Sequence, residues 1–211
     1  MTKRLRSKFH ICKKLNKNYN NIWGLPKGES LRAVKKNNEK KKRNKVSVYG
    51  QLLKTKQCLK YFYCNIQERT FKRILKQSID SPLATLDKFI SLLESRLDIV
   101  LFRSCLVSSI YQARQIINHG SVTVNGQVVR NPSTRLSQLD VVELKPEAVT
   151  KEIILSGMVD NLRSNFTSRF LPFHLEIDYN ILSVVFLWDP SYKQTYYPIK
   201  TDYESIQRFY R

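Results

Sequence analysis

The sequence predicts an α+β fold made of a basic N-terminal arm, a helical domain, and a small antiparallel sheet with its own helices. Apolar residues recur at steps of three and four from Leu86 to Phe102, which predicts an amphipathic helix. Hydrophobic residues alternate with polar ones on both sides of Asn125-Gly126, a dipeptide typical of two-residue β-hairpins. Residues 1–45 hold 16 Lys and Arg against two acids, with few apolar residues to form a core. This segment therefore predicts an extended arm that orders on a partner.

Residues 49–78 predict two helices joined by a turn. Leu59 and Phe62 fit one apolar helical face, and Phe71 fits the next. The polar positions between them are basic, and Glu68 is the one acid in this stretch. A merely solvated face would normally mix both signs of charge, so we expect this face to meet phosphates. Its candidate phosphate ligands are Lys54, Lys56 and Lys60.

A break at 80–82 ends this helical stretch. Either Asp80 or Ser81 could cap the next helix, which we expect to start near Leu83. The apolar period then continues without interruption, so one helix is predicted as far as Phe102.

The unit that follows has clear end signals. Ser109 and Gln112 have the spacing of a capping box, and Gly120 stands where a left-handed C-cap would end the helix. The hairpin at Asn125-Gly126 comes next, and residues 141–144 predict one more strand. The predicted order is therefore helix, helix, hairpin, loop and strand.

Residues after 150 carry weaker patterns. A helix is expected over Lys151–Asn161, and the segments LPFHLEID and ILSVVFLWD predict strands, the second buried from Val184 to Leu187. The final TDYESIQRFYR predicts a short strand or helix. The predicted domains are a basic extension (1–45), a helical domain (46–94) that the segment 196–211 could complete, a helix-and-sheet domain (95–150), and a C-terminal helix and strands packing on it (151–211).

The distribution of charge points to a polyanionic partner. The chain carries 37 Lys and Arg against 17 Asp and Glu, a net charge of +20 at pH 7. Residues 1–78 hold 23 of these bases and three of the acids, so they carry the whole excess. This polarisation favours nucleic acid or an acidic membrane surface over a solubilising tail. No run of about 18 apolar residues occurs, and the N-terminus lacks the apolar core of a secretory signal. We therefore expect nucleic acid and no membrane.

No pattern in the sequence indicates catalysis or a metal site. The chain has no GxxxxGK[ST], GxGxxG, HExxH or GxSxG motif. Its four cysteines lack the paired spacing that zinc requires, so we expect free thiols, with Cys105 in the core. Asp87, Glu94 and Asp98 share one predicted helix, where a solvated or salt-bridged role is far more common than a catalytic one. We expect no enzyme activity, no cofactor and no metal.

Polar side chains accumulate along the unit of two helices and a hairpin. They follow the first helix, flank the apolar face of the second, and stand at its end and in the hairpin. Such donors suit ribose hydroxyls, phosphates and exposed base edges of folded RNA. The candidate RNA-binding residues are Arg103, Arg114, Gln115, His119, Asn125 and Arg130.

Three segments of this unit resemble a known RNA-binding module. RLDIVLF, ARQIINHG and VTVNGQVV, in that order, resemble the module named after small-subunit ribosomal protein four. The rest of the chain resembles that ribosomal family itself. SKFHICKKL with IWGLPK looks like its opening segment, YGQLLKTKQCLKYFYCNIQERTFKRI like its helical domain, and SIQRFYR like its closing segment. The α-proteobacterial, or mitochondrial, version is the most similar. KNNEKKKRN departs from the family's glycine-rich loop, and Cys12 alone remains of a zinc-binding cluster that some members carry.

The resemblance implies a fold and a function. The module would have an αL shape, with two helices packed on a small sheet and the RNA surface along the second helix and the hairpin. Family members are constituents of the small ribosomal subunit and bind the 5′ domain of its RNA early in assembly. They contact small-subunit protein five, line with proteins three and five the path by which messenger RNA enters, and affect decoding accuracy. In the opening segment, the implied phosphate contacts are Lys3, Arg4, Arg6, Lys8, Lys13 and Lys14.

Two other kinds of protein carry this module. An RNA-modifying enzyme would need a catalytic domain, and only about 60 residues follow the module. A stress-type binder of ribosomal RNA would lack the helical domain at 49–78. The chain is also rich in Lys, Asn, Ile and Tyr, whose codons are A/T-rich. This composition favours a protein encoded in a mitochondrion and acting in its ribosome, with a plastid or a bacterial cytoplasm as alternatives.

Overall fold

The structure, a computed structural model, describes residues 47–145, 171–197 and 202–210. Helices and antiparallel strands occupy these ranges, which confirms the predicted α+β class. The helices are α1 (Val48–Phe62), α2 (Glu68–Ile79), α3 (Thr85–Glu94), α4 (Leu97–Arg103), α5 (Ile110–His119) and α6 (Tyr203–Tyr210). The strands are β1 (Val122–Val124), β2 (Gln127–Val128), β3 (Asp140–Leu144), β4 (Leu175–Asp178) and β5 (Ser183–Phe186). Outside the described residues lie the predicted arm 1–45 with Lys3, Arg4, Arg6, Lys8, Lys13 and Lys14, and the helix expected over Lys151–Asn161.

The first of two compact units joins α1 to α6. The side chain of Ser47 caps α1 by accepting a hydrogen bond from the Gly50 N–H at 3.2 Å, which satisfies one of the unpaired donors of the first turn. Leu59 on α1 and Ile206 on α6 are both buried. The final segment is helical over Tyr203–Tyr210, which decides between the two predicted alternatives.

The second unit spans residues 66–196, as far as they are described, and holds α2 to α5 with the sheet. The boundary between the two compact units falls between α1 and α2, and the predicted domain bounds remain a prediction. α2 packs against α3, where the rings of Phe71 and Phe89 meet edge to face at 5.5 Å. α4 is buried from Leu97 to Phe102 and packs against α5.

The single helix predicted from Leu86 to Phe102 is wrong, because the chain breaks at Ser95-Arg96. The backbone of the loop before β3 pairs with this break: the Leu136 N–H donates to the Ser95 carbonyl at 2.8 Å, and the Leu97 N–H donates to the Thr134 carbonyl at 2.9 Å. These two hydrogen bonds occupy backbone groups that a continuous helix would pair within itself. The helix is therefore interrupted, although the spacing of apolar residues in the sequence continues through the break.

The start of α3 also differs from the prediction. The helix begins at Thr85 after Ala84, and no side chain caps it. Ser81 instead accepts a hydrogen bond from the Leu83 N–H at 3.3 Å, a local turn that competes with helix initiation. Neither Asp80 nor Ser81 is the cap.

The end signals of α5 are largely confirmed. Ser109 accepts a hydrogen bond from the Gln112 N–H at 3.2 Å, and Gly120 ends the helix in the left-handed conformation with φ +82°. The Gln112 side chain accepts from the Ser108 N–H at 2.9 Å rather than from Ser109, so half of the predicted capping box is displaced by one residue. The abrupt end at Gly120 turns the chain directly into β1.

The described strands form one antiparallel sheet in the order β2-β1-β3-β5-β4. The predicted hairpin joins β1 to β2 through Asn125 and Gly126, both left-handed, with φ +49° and +80°. In β5 the buried Val184 alternates with the half-buried Val185, and Leu187 just beyond the strand is also half-buried. The predicted unbroken burial from Val184 to Leu187 is therefore wrong, because successive side chains of a strand point to opposite faces of the sheet.

Candidate RNA interface

One edge of the second unit gathers polar side chains around the end of α5. Gln115 and His119 are exposed and one helical turn apart, so they share a face. Arg130 is also exposed, and its guanidinium lies over the end of the helix: a Cβ placed on Gly120 would meet the Arg130 Nε at 3.2 Å. The structure therefore brings together three predicted residues that carry an amide, an imidazole and a guanidinium. Such a set of polar groups suits the phosphates and ribose hydroxyls of folded RNA.

Arg114 stands behind this edge in a buried ion-pair network. The Asp98 carboxylate, whose side chain is 0% exposed, accepts hydrogen bonds from the Arg96 Nε at 3.0 Å and from the Arg114 Nε at 2.8 Å. The Arg96 Nη2 also donates to Asp98 at 2.8 Å and to the Ser133 Oγ at 3.1 Å. The network fixes the direction of Arg114, which stays 26% exposed. Its RNA contact remains a prediction.

Two other predicted ligands are engaged within the protein. Arg103 forms a two-pronged ion pair with the buried Glu94, at 2.9 and 2.7 Å, and its Nη1 donates to the Tyr196 carbonyl at 2.8 Å. The Asn125 amide donates to Asp140 at 2.9 Å and accepts from the Val141 N–H at 2.9 Å. These contacts favour structural roles for Arg103 and Asn125. They also confirm a salt-bridged role for Glu94, as for Asp98.

The three predicted lysines of α1 have unequal surroundings. Lys54 is exposed and Lys60 is half-buried, and their phosphate contacts remain a prediction. Lys56 is buried, and its ammonium lies 3.9 Å from the centre of the Phe209 ring. A cation over an aromatic face is stabilised by the ring quadrupole. This contact favours a role for Lys56 in attaching α6 to α1.

Some exposed cations were missed by the sequence reasoning. α2 presents them opposite its buried side chains, and a loop before β3 presents one more. For α2 a signal existed in the sequence, since Glu68 is its single acid, but the predicted lysines all lie on α1. For Arg135 no local signal existed, because only the pairing of its loop with Ser95-Arg96 brings it to this surface. The missed cations are Arg69, Lys72, Arg73, Lys76 and Arg135.

The described ranges contain neither a cluster of metal-ligating side chains nor a membrane-spanning helix. No three His, Cys, Asp or Glu side chains in them are grouped as metal ligands would be. Nor does any helix there combine the length and the apolar composition that crossing a bilayer requires.

Known proteins are similar to this chain both at the interface and over its full length. Residues 95–142 match the family model described as the S4 domain, the range that contains Asp98, α5 and the hairpin. Proteins named "Small ribosomal subunit protein uS4" are similar over the full length. The one from Caulobacter vibrioides is 32% identical over 100% of this chain and 99% of its own. Those from Methylobacterium nodulans and Cereibacter sphaeroides are 31% and 30% identical over 100% of this chain, and 99% and 98% of their own. The chain therefore belongs to the uS4 family of small ribosomal subunit proteins, in the α-proteobacterial type that its sequence resembles.

Proposed function

We propose that this chain is a structural component of the small ribosomal subunit that binds the subunit's RNA and is not an enzyme. The observation that carries the proposal is the full-length similarity to relatives named small ribosomal subunit protein uS4. A modifying enzyme or a short stress-type binder would share the module at 95–142 but not the whole chain.

The geometry at the end of α5 supports RNA as the ligand. Gln115, His119 and Arg130 form an exposed edge on a rigid support, because Gly120 and the two-residue hairpin fix the backbone between them. A backbone held in this way loses little conformational freedom on binding. The net charge of +20 adds an attraction to phosphates that does not depend on base sequence. Charge would thus supply affinity, and the shaped edge would supply selectivity for folded RNA.

The RNA region, the protein neighbours and the compartment are proposed from the family resemblance. The RNA target would be the 5′ domain of the small-subunit ribosomal RNA, bound early in assembly. The protein neighbours would be small-subunit proteins five and three, beside the path by which messenger RNA enters, with an effect on decoding accuracy. The compartment would be a mitochondrial ribosome, supported by the A/T-rich codon usage that the composition implies and by the α-proteobacterial relatives.

An affinity measurement with the full chain tests this proposal. The chain should bind a transcript of the 5′ domain from its own source, and the affinity should fall by orders of magnitude between low and physiological salt. Arg130→Glu should weaken binding roughly ten-fold, because it removes one phosphate or base contact and adds repulsion. Lys193→Glu, which makes the same charge change on the exposed turn Tyr192–Gln194, is the matched control.

Crosslinking in purified ribosomes provides a second readout. The RNA joined to the chain should be small-subunit RNA of the 5′ domain. If transfer RNA or large-subunit RNA were the main crosslinked species, the proposal would be wrong. Equal affinity of the full chain for transfer RNA and for the 5′ domain would contradict it as well.

A further inference from the structure

We propose that α2 and the loop before β3 form a second phosphate-binding surface for RNA, centred on Arg73 and Arg135. We call this the α2 surface and define it as Arg69, Arg73, Lys76 and Arg135. It lies on elements other than α5 and the hairpin. The inference rests on the proposed RNA-binding function and names a further part of the chain that carries it.

The cations of α2 lie on the side of the helix away from its buried side chains. The helix buries Phe71, Ile74 and Leu75 on one side. Arg69 and Arg73 are exposed and one turn apart on the opposite side, where they form a row along the helix. Side chains at this spacing can contact successive phosphates of one strand.

Arg135 is held beside that row by hydrogen bonds of its side chain and of its loop. Its Nη2 donates a hydrogen bond to the Gln77 Oε1 at 2.9 Å, and Gln77 follows Arg73 by one helical turn. Its backbone forms a bridge with Arg96, and the next residue, Leu136, donates to the Ser95 carbonyl at 2.8 Å. The guanidinium is therefore placed by the fold before any ligand binds, which lowers the entropic cost of binding.

The positive charges around Arg135 repel one another. Partial desolvation lowers the pKa of the guanidinium of the exposed Arg135, and the nearby charges of Arg73 and Arg96 lower it further. Asp98 neutralises Arg96. In ranges 47–145, 171–197 and 202–210, no ion pair joins an acid to Arg73 or to Arg135. An anion beside these two cations would relieve their repulsion.

The chemistry of the surface favours a phosphate of RNA over an acidic protein segment. Arginine presents a planar fork of donors that matches a phosphate with two hydrogen bonds, and its charge does not depend on physiological pH. The neighbouring cations repeat along a helix, as phosphates repeat along a strand. An acidic neighbouring protein is the alternative that the experiment distinguishes.

The test measures binding of the full chain to the 5′-domain transcript over a series of salt concentrations. Arg73→Glu and Arg135→Glu should each lower the affinity roughly ten-fold and reduce the steepness of the salt dependence by about one. Arg73→Lys and Arg135→Lys keep the charge and should keep the steepness. Gln77→Leu should lower the affinity without changing the steepness, because it only releases Arg135. Lys193→Glu is again the control for the change in net charge, and circular dichroism at the binding temperature verifies that each variant is folded.

The outcomes separate this inference from the proposed function. If Arg130→Glu weakens binding while Arg73→Glu and Arg135→Glu match Lys193→Glu, the α2 surface is not an RNA site and the proposed function stands. The same conclusion follows if the two variants bind RNA normally but lose a neighbouring ribosomal protein in reconstituted subunits. Failure of the unaltered chain to bind the transcript would overturn both.

Discussion

Asp98→Ala should lower the free energy of unfolding by about 3 to 5 kcal/mol, the usual cost of removing one partner from a buried ion pair. The Asp98 side chain is 0% exposed and Arg96 only 6%, so Arg96 would keep a buried charge with no carboxylate beside it. Arg114 would lose its contact too, although its 26% exposure lets water replace part of it. Urea unfolding followed by circular dichroism measures the change.

Glu204→Ala is the matched control for this prediction. It removes an ion pair between Glu204 and Arg208, whose side chains are 82% and 69% exposed. Pairs of this kind contribute less than about 0.5 kcal/mol. If Asp98→Ala shifted the urea midpoint no more than Glu204→Ala does, the network around Asp98 would not hold α4, α5 and the loop before β3 together.

Acid should destabilise the second unit through His174, with a loss of about 2 kcal/mol between pH 7.5 and pH 5. The ring of His174 is buried against Phe186, with ring centres 5.8 Å apart. Neither ring nitrogen has a hydrogen-bond partner among the described residues. Burial lowers its pKa from 6.5 to about 4, Glu94 and Asp189 oppose this, and Arg103 adds to it.

The direction of the effect follows from the two protonation states. The pKa of His174 is lower in the folded chain than in the unfolded one, so the unfolded chain binds more protons between pH 6.5 and about 4. Stability is therefore complete above pH 6.5 and falls as the pH is lowered through this range. Below about pH 4 the contribution of His174 is constant, at a total loss of about 3 kcal/mol.

Substitution of His174 by an apolar residue should remove this part of the pH dependence. His174→Phe and His174→Leu differ in how they fill the site, so their stabilities at pH 7.5 can differ. In both, the slope between pH 7 and pH 5 should decrease by the same amount, because neither residue titrates. An unchanged slope in both variants would show that other groups cause the acid sensitivity.

The sequence predicted the candidate RNA edge better than it predicted the roles of individual charges. Gln115 and His119 follow from the helical period, and Gly120 with the hairpin places Arg130 near them. Arg103 belongs to the same predicted set, yet the fold directs its guanidinium to Glu94. A positive charge in a sequence does not specify whether its partner will be a carboxylate or a phosphate.

Some helix boundaries are likewise set by local residues, and others by residues that are distant in the chain. The break at Ser95-Arg96 has no local signal, because the apolar period passes through it unchanged. The competing hydrogen bonds come from the backbone near Thr134 and Leu136, about 40 residues away in the chain. At Gly120 the left-handed C-cap forms as the local rule predicted, and the helix ends there.

Local signals thus specified the α+β class, the hairpin, the end of α5 and the polar edge beside it, because a period, a cap or a left-handed turn depends on residues a few positions apart. Only the folded chain decided that Lys56 lies over Phe209, that Asp98 holds Arg114, and that Arg135 reaches Gln77 from 58 positions away. Coulomb and hydrogen-bond energies depend on distance in space. The partner of a charged side chain is therefore a property of the tertiary structure.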